Sequence, residues 1–240
     1  MALHVGIGTS RNSESSFEAG KEACERALEK IPGHKAEMIV VLASVIFDQQ
    51  EMIKGVYATG GGTPVVGCTT AGTITTEGPL EHVVGVLALH SDTLGFHPVK
   101  VEGISKSMRE AGKSFGTQLQ EKSPKVAFLF SDALSGNGTE MVRGIFELLG
   151  SGFPLMGGAA GDDMNFKKTS QYFGDQVLND AVVGFGISGD VKYAVGADHG
   201  WKDRHSAYGD EKRRHHALRT RREAGILALS GLLRRAGVGL

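Results

Sequence analysis

Two glycine-rich segments of the sequence combine residue types that can bind a small charged molecule. They are Gly67-Cys-Thr-Thr-Ala-Gly72 and Gly157-Gly-Ala-Ala-Gly-Asp-Asp163. Small residues leave backbone N–H groups uncovered, so these groups can bind a carboxylate or a phosphate. Ionised carboxylates at Asp162 and Asp163 can receive an ammonium group or a metal ion. The alternative interpretation is that the glycines only make turns and pack closely.

A third polar segment, which includes Asp132 and Asn137, follows the apolar run Val126–Phe130. In an α/β sheet, ligands bind beyond the carboxyl ends of the strands, where loops meet. Asn137 can instead simply cap the next helix. The residues predicted to contact a ligand are Gly67, Cys68, Thr69, Thr70, Asp132, Asn137, Gly157, Gly158, Ala159, Asp162 and Asp163.

Cys68 stands next to two hydroxyl residues, which raises the alternative of an enzyme acting on a small metabolite. A catalytic thiolate needs a base or a positive neighbour, and no His or Arg lies near Cys68 in the sequence. The lack of such a neighbour disfavours catalysis, so no catalytic residue is assigned. In the enzymatic alternative, Cys68 would be the nucleophile or Asp162 the base. Gly6-Ile7-Gly8 lacks the third glycine of a dinucleotide-binding fingerprint, because Arg11 stands there. With two cysteines and no zinc-binding His motif, neither a cofactor nor a metal is expected.

The elements that position these segments are predicted twice along the chain. Asp48–Tyr57 and Asn137–Phe146 are identical or similar at eight of ten positions, and each begins with an Asx residue followed by Glu three residues later. The match indicates an internal duplication. Each unit reads strand, helix, strand, glycine loop and antiparallel hairpin, as in the apolar runs 83–89 and 94–101. The sequence predicts an α/β fold in which two such units form mixed sheets flanked by helices, with Pro98 on an edge strand.

Charge divides the chain into two parts. Residues 1–201 hold 16 Lys and Arg against 23 Asp and Glu, and residues 202–240 hold 10 against 4. The acidic body argues against nucleic-acid binding. The Arg-rich tail fits either a basic helix for an anionic surface or a frame-shifted or non-native segment, and the abrupt change of composition favours the second. With only two cysteines and no apolar stretch of about 20 residues, the sequence predicts a cytoplasmic protein without a transmembrane segment.

Residues 5–201 resemble the N-terminal FIST domain, a sensory module of signal-transduction proteins. The resemblance rests on Pro64-Val-Val-Gly-Cys-Thr-Thr-Ala-Gly72, Phe153-Pro-Leu-Met-Gly-Gly-Ala-Ala-Gly-Asp-Asp163, and Val182-Val-Gly-Phe-Gly186 followed by His199-Gly-Trp201. It implies a bound small molecule such as an amino acid, and a signalling partner protein or domain. Such proteins ordinarily continue into a C-terminal FIST domain. After Trp201 the tail stands instead, so a truncated product is expected, with domain 1–201 and no complete second domain.

Overall fold

The computed structural model describes residues 3–75 and 78–194, which form four helices and twelve strands. The helices are α1 (Ser16–Leu28), α2 (Gln49–Thr59), α3 (Met108–Gln120) and α4 (Gly138–Leu149), and a short 3-10 turn spans Ile104–Lys106. The first six strands are β1 (Leu3–Ser10), β2 (Met38–Ser44), β3 (Val65–Thr70), β4 (Thr73–Thr75), β5 (Gly78–Leu80) and β6 (Val84–Ser91). The other six are β7 (Gly95–Glu102), β8 (Val126–Ser131), β9 (Leu155–Ala159), β10 (Gln171–Phe173), β11 (Gln176–Leu178) and β12 (Ala181–Ser188).

Side-chain caps fix where the helices begin. The Asp48 carboxylate accepts from the Glu51 N–H at the start of α2, and the Asn137 side chain accepts from the Thr139 N–H at the start of α4. Ser15 caps α1 in the same way. Each cap satisfies a backbone donor that has no partner inside the helix and contributes about 1 kcal/mol. The predicted Asx caps are therefore confirmed.

The strands form two large mixed sheets with one repeated connectivity. The first sheet has the order β1-β6-β2-β3-β10-β11, and the second has the order β7-β12-β8-β9. In the first, β2 runs parallel to β3 and antiparallel to β6; in the second, β8 runs parallel to β9 and antiparallel to β12. The β4–β5 ladder forms a separate two-stranded sheet. This arrangement confirms the mixed α/β fold.

Three apolar layers hold the elements in a four-layer α/β/β/α stack. Ala23 and Ile53 of α1 and α2 pack on the first sheet, and Phe115 and Ile145 of α3 and α4 pack on the second. Between the two sheets lies a layer that includes Phe185. Burial of a large apolar side chain contributes about 1.5–3 kcal/mol, so these layers supply the main driving force for the fold.

Both helix pairs approach each other through glycine. A Cβ added at Gly20 would stand 2.1 Å from the carbonyl oxygen of Met52, and one added at Gly112 would stand 2.1 Å from that of Met141. Real Cβ atoms do not approach a carbonyl oxygen so closely. Part of the glycine excess therefore allows helices to pack backbone against backbone.

The predicted pairing of residues 83–89 with 94–101 is wrong. Both runs are strands, but β6 lies between β1 and β2 in the first sheet, so both of its edges are occupied. The chain then crosses to the second sheet, where β7 pairs with β12. The turn is held by the Ser91 hydroxyl oxygen, which accepts from the N–H groups of Thr93 and Leu94. Pro98 lies on β7, an edge strand as predicted; the short hairpins that follow β3 and β9 are β4–β5 and β10–β11.

The described residues contain no helix with both the length and the apolar character needed to span a bilayer. The predictions for the basic tail at 202–240, and the residues from His199 to Trp201, lie outside the described residues.

Candidate functional site

Buried polar side chains collect at the edge of the fold where β1, β2, β3 and β8 have their carboxyl ends. Elsewhere the interior is almost entirely apolar. Burying a polar group costs free energy unless it is hydrogen-bonded, so such a cluster marks an organised part of the molecule. The cluster consists of Ser10, Ser44, Thr69, Thr73, Ser131, Asp132, Asp162, Thr169, Ser170 and Gln171.

The two glycine segments begin inside strands and meet beyond them. Gly67, Cys68, Thr69 and Thr70 belong to β3, and Gly157, Gly158 and Ala159 belong to β9. The loops that follow are therefore shorter than the sequence pattern predicts.

Backbone hydrogen bonds join these loops across the two sheets. Ala160 N donates to Ser131 O at 2.8 Å, and the next residue, Gly161, donates to Thr69 O at 2.9 Å. Thr69 is held further by Ser170, whose N–H donates to the Thr69 hydroxyl oxygen at 3.0 Å. The structure thus brings the two predicted segments into direct contact.

Asp162 organises the loop that follows β9. Its carboxylate accepts from the N–H groups of Phe166, Lys167 and Lys168 at 3.0, 2.7 and 3.1 Å. These bonds, with the one from Lys167 first, lower the pKa of Asp162 below its ordinary value. The side chain is buried, and its acceptor sites are turned to its own loop. It can hold the loop in shape, but little of the carboxylate faces a ligand.

The loop held by Asp162 contains unusual backbone conformations. Asp163, Met164 and Phe166 have φ values of 53°, 63° and 52°, which side-chain-bearing residues adopt at a cost. Met164 and Phe166 are 73% and 69% exposed. A loop kept in a costly conformation while two large apolar side chains face solvent is typical of a functional segment.

Asp163 is the carboxylate of this loop that remains accessible. The Ser44 hydroxyl donates to Asp163 Oδ2 at 2.7 Å, and the same hydroxyl oxygen accepts from Ile46 N at 3.3 Å. Asp163 is half-buried, and its Oδ1 accepts no hydrogen bond from the described residues. Ser44 therefore links the second glycine segment to the loop that follows β2.

Asp132 connects three loops. Its carboxylate accepts from Leu134 N at 2.8 Å, Ser135 Oγ at 2.9 Å, Thr169 Oγ1 at 2.8 Å and Asp180 N at 3.0 Å. Both oxygens are thereby occupied. Asp132 thereby holds together the loop that follows β8, the segment at Thr169 and the turn before β12.

Asn137 lies at the exposed beginning of α4, and its side-chain oxygen accepts from Thr139 N at 2.9 Å. The capping interpretation of Asn137 therefore describes its contacts. A ligand contact would have to use its amide nitrogen.

Cys68 lies inside the first sheet, between β2 and β10, with its side chain 4% exposed. Burial raises the pKa of its thiol to about 12. Because the thiolate is the nucleophile, a thiol with such a pKa is almost entirely unreactive at neutral pH.

Alkylation of the folded chain with iodoacetamide at pH 7.5 is expected to label Cys68 more than a hundredfold more slowly than a free cysteine, whose pKa is about 8.5. Peptide mass spectrometry after timed quenching measures the rate. Cys24 provides an internal control, because it is also buried with a pKa of about 12. Labelling of Cys68 at the rate of a free thiol, with Cys24 still protected, would contradict the burial of this side chain.

Sequence reasoning missed Ser44, Thr169 and Gln171. Gln171 is fully buried opposite Cys68, its Nε2 donates to Thr169 Oγ1 at 3.3 Å, and its Oε1 has no partner among the described residues. No motif marks these residues, because their positions depend on the pairing of β10 with β3. The available sequence signal was a polar residue, Gln171, directly before the aromatic residues Tyr172 and Phe173.

A surface cavity of about 650 Å³ opens at the same edge, beyond the ends of β1 and β2. It is lined by Arg11, Ser13, Ile46, Pro79, Glu81 and His82. The lining combines a guanidinium, a carboxylate and two apolar side chains. Asp163 does not line the cavity itself; it is linked to Ile46 by two hydrogen bonds, from Ile46 N to the Ser44 hydroxyl and from that hydroxyl to Asp163 Oδ2. Within residues 3–75 and 78–194, no group of three or more His, Cys, Asp or Glu side chains is arranged to hold a metal ion.

Comparison with known proteins identifies a family model and a distant structural likeness. The model of the FIST N domain matches residues 37–207. Among solved structures, the chain is similar to the cyanuric acid hydrolase from A. caulinodans, with 8% sequence identity and a TM-score of 0.39, over 79% of this chain and 72% of that one. No curated protein matches.

The family match covers more than half of the chain, including both glycine segments, and agrees with the resemblance carried by Pro64–Gly72 and Phe153–Asp163. The chain therefore belongs to the FIST N domain family, whose members are sensory domains of signal-transduction proteins.

Proposed function

We propose that this domain is a non-catalytic sensor that binds a small ligand at the carboxyl edge of its sheets. The observation that carries the proposal is the cavity that holds Arg11 and Glu81 and connects to Asp163 through Ser44 and Ile46. Opposite charges beside apolar side chains are the features with which a pocket orients a small polar molecule.

The ligand class that fits this lining is an amino acid. Its carboxylate would pair with the Arg11 guanidinium, its ammonium group with Asp163 Oδ1 or Glu81, and its side chain would lie against Ile46 and Pro79. Charge-assisted hydrogen bonds contribute about 1.5–3 kcal/mol each, and immobilisation offsets part of this gain. The resulting affinity is in the micromolar to millimolar range, which suits a metabolite sensor.

The residues singled out by sequence take different roles in this proposal. In this proposal Asp163 binds the ammonium group through Oδ1, the oxygen that the Ser44 hydroxyl leaves free. The other residues singled out by sequence do not line the cavity, and this proposal assigns them no direct contact with the ligand: Gly67, Cys68, Thr69, Thr70, Asp132, Asn137, Gly157, Gly158, Ala159 and Asp162.

The signal would leave through the loop that follows Asp162. A ligand bound to Asp163 Oδ1 shares this carboxylate with the Ser44 hydroxyl on Oδ2, and so acts on a loop already in a costly conformation. Met164 and Phe166 on this loop face solvent and are suited to an apolar contact with a signalling partner. The partner would be another protein or domain.

An enzyme acting on a small metabolite is the less supported alternative. Cys68 is buried with a raised pKa, and the Asp162 carboxylate is occupied by backbone donors with a lowered pKa. A nucleophile must be ionised and accessible, and a base must have a free acceptor site near the substrate. Neither residue meets its requirement in this structure.

Three further proposals concern the origin and the setting of the chain. An internal duplication is supported by the sequence match and by the shared connectivity of β1-β6-β2-β3 and β7-β12-β8-β9. A frame-shifted or non-native origin is proposed for residues 202–240, on the abrupt change of composition there. A cytoplasmic location is supported by two free, buried cysteines.

Calorimetry of the full chain against the twenty common amino acids is expected to reveal at least one ligand with a micromolar to millimolar dissociation constant. Arg11→Ala and Asp163→Asn are each expected to weaken that binding at least tenfold, because each removes one charge-assisted contact. Arg143→Ala on the outer face of α4 is the matched control and should bind like the unmodified chain. Absence of binding to every amino acid at millimolar concentration would overturn the amino-acid proposal.

A further inference from the structure

The two large sheets differ by one hairpin. The first sheet has six strands because the β10–β11 hairpin extends it beyond β3, whereas the second ends at β9. Within residues 3–75 and 78–194, β9 pairs with β8 alone. Gly157, Gly158 and Ala159 on β9 are exposed. An edge that presents uncovered backbone donors and acceptors is a template for a further strand.

The edge of β9 has the same backbone shape as the edge of β3, which already carries a hairpin. Gly67 on β3 has a φ of 155°, and an added Cβ would stand 1.9 Å from Val41 O; Gly157 on β9 has a φ of 136°, and its Cβ would stand 1.9 Å from Leu129 O. On β3, Tyr172 of β10 lies opposite Gly67. Gly157 therefore stands against β8 as Gly67 stands against β2, and the residue opposite Gly67 on the added strand is a large aromatic one.

A strip of apolar surface lies where such a hairpin would fit. In the stack of two sheets, β3 of the first sheet lies over β8 and β12 of the second. The next strand of the second sheet, β9, therefore lies towards β2, and β6 and β1 of the first sheet extend beyond it. Val5 and Ile7 on β1 and Leu87 on β6 are half-buried, although Gly6 and Gly8, which alternate with them, are buried. The outer half of the first sheet thus lacks the cover that β7 and β12 give to its inner half. Two more strands beside β9 would cover it.

The β4–β5 ladder has the properties of the missing hairpin. It occupies the place in the first half that β10–β11 occupies in the second, and within the described residues it joins neither large sheet. Ile74 on β4 is 87% exposed. Pro79 lies on β5 and cannot donate a backbone hydrogen bond, so β4 is the strand that can pair and β5 the outer edge.

We propose that the β9 edge binds the β4–β5 hairpin of a second copy of this chain, with Ile74 opposite Gly157 as Tyr172 is opposite Gly67. In a twofold dimer this contact occurs twice, because each copy offers one hairpin and one edge. Each copy thereby extends its second sheet to six strands. The contact does not depend on the proposed ligand or on Asp163.

Light scattering coupled to size-exclusion chromatography measures the molar mass of the full chain in solution at 1–100 µM. The expected mass is twice 25.4 kDa at the upper end of that range. Ile74→Glu and Gly158→Glu should each shift the chain to a monomer, because each places a charge within the contact. A Cβ at Gly158 meets open space, so this variant keeps the fold, and circular dichroism verifies that it does.

Gly138→Glu is the matched control, since it makes the same change in open space at the start of α4 and should leave the dimer intact. Arg11→Ala should also remain a dimer, whatever its effect on amino-acid binding. A monomer at 100 µM would overturn the proposal, and so would a dimer that neither Ile74→Glu nor Gly158→Glu disrupts. Protection of the β9 amides from hydrogen exchange in a monomer would assign the edge to a segment of the same chain instead.

Discussion

Replacing Gly67 by alanine is expected to lower the free energy of unfolding by about 3 kcal/mol or more. The new Cβ would stand 1.9 Å from the carbonyl oxygen of Val41, and the φ of 155° is one that alanine rarely adopts. Because β2 and β10 pair with β3 on its two sides, the strand has no direction in which to move. Urea unfolding followed by circular dichroism measures the difference.

Two variants of β9 test this explanation. Gly157→Ala meets the carbonyl oxygen of Leu129 in the same way, but an edge strand can shift, so the expected loss is smaller, about 2 kcal/mol. Gly158→Ala adds a Cβ in open space and should change stability by less than about 0.5 kcal/mol. Equal effects of the two β9 variants would show that the close approach to the neighbouring strand does not determine the cost.

Asp132→Ala is expected to destabilise the domain by about 3 kcal/mol, because it removes an acceptor used by four donors. The Thr169 hydroxyl and the Asp180 N–H would lose their partner in a buried site. Asp132→Asn should cost less, since its amide oxygen still accepts from two of the donors. Thermal unfolding monitored by calorimetry gives both values.

The control for Asp132 is Asp175→Ala in the exposed β10–β11 turn, where the loss of a carboxylate should change stability by less than about 0.5 kcal/mol. If Asp132→Ala proved as mild as this control, the four hydrogen bonds would not be holding the loops together. The same variant also tests the site, because loosening Thr169 should weaken any ligand bound at the neighbouring edge.

Features that depend on neighbouring residues were predictable from sequence. Met38–Ser44 forms β2, because a run of apolar residues suits a strand covered on both faces. Asp48 and Asn137 cap their helices because a cap requires only a side chain and the next turn. The contact between the two glycine segments also followed, since strands that run in the same direction end at the same edge.

Features that depend on pairing between distant residues were not predictable in the same way. Residues 83–89 and 94–101 look like a hairpin in sequence, but β6 is enclosed by β1 and β2 and leaves no edge for β7. Gln171 gains its place beside Cys68 only because a three-residue strand crosses from the second half of the chain to the first sheet. Which distant strands pair, and in which register, depends on the sheet edges that are still open, and the spacing of residues in the sequence does not encode this.

The sequence by itself determined the family, the mixed α/β class and the two glycine segments, because these rest on residue types in a fixed local order. Only the tertiary structure decided which carboxylate is accessible. Asp162 and Asp163 are adjacent and chemically alike, yet three backbone N–H groups occupy Asp162 while Asp163 faces Ser44. Hydrogen-bond donors reach a carboxylate according to how the loop folds around it, and that geometry exists only once both sheets have come together.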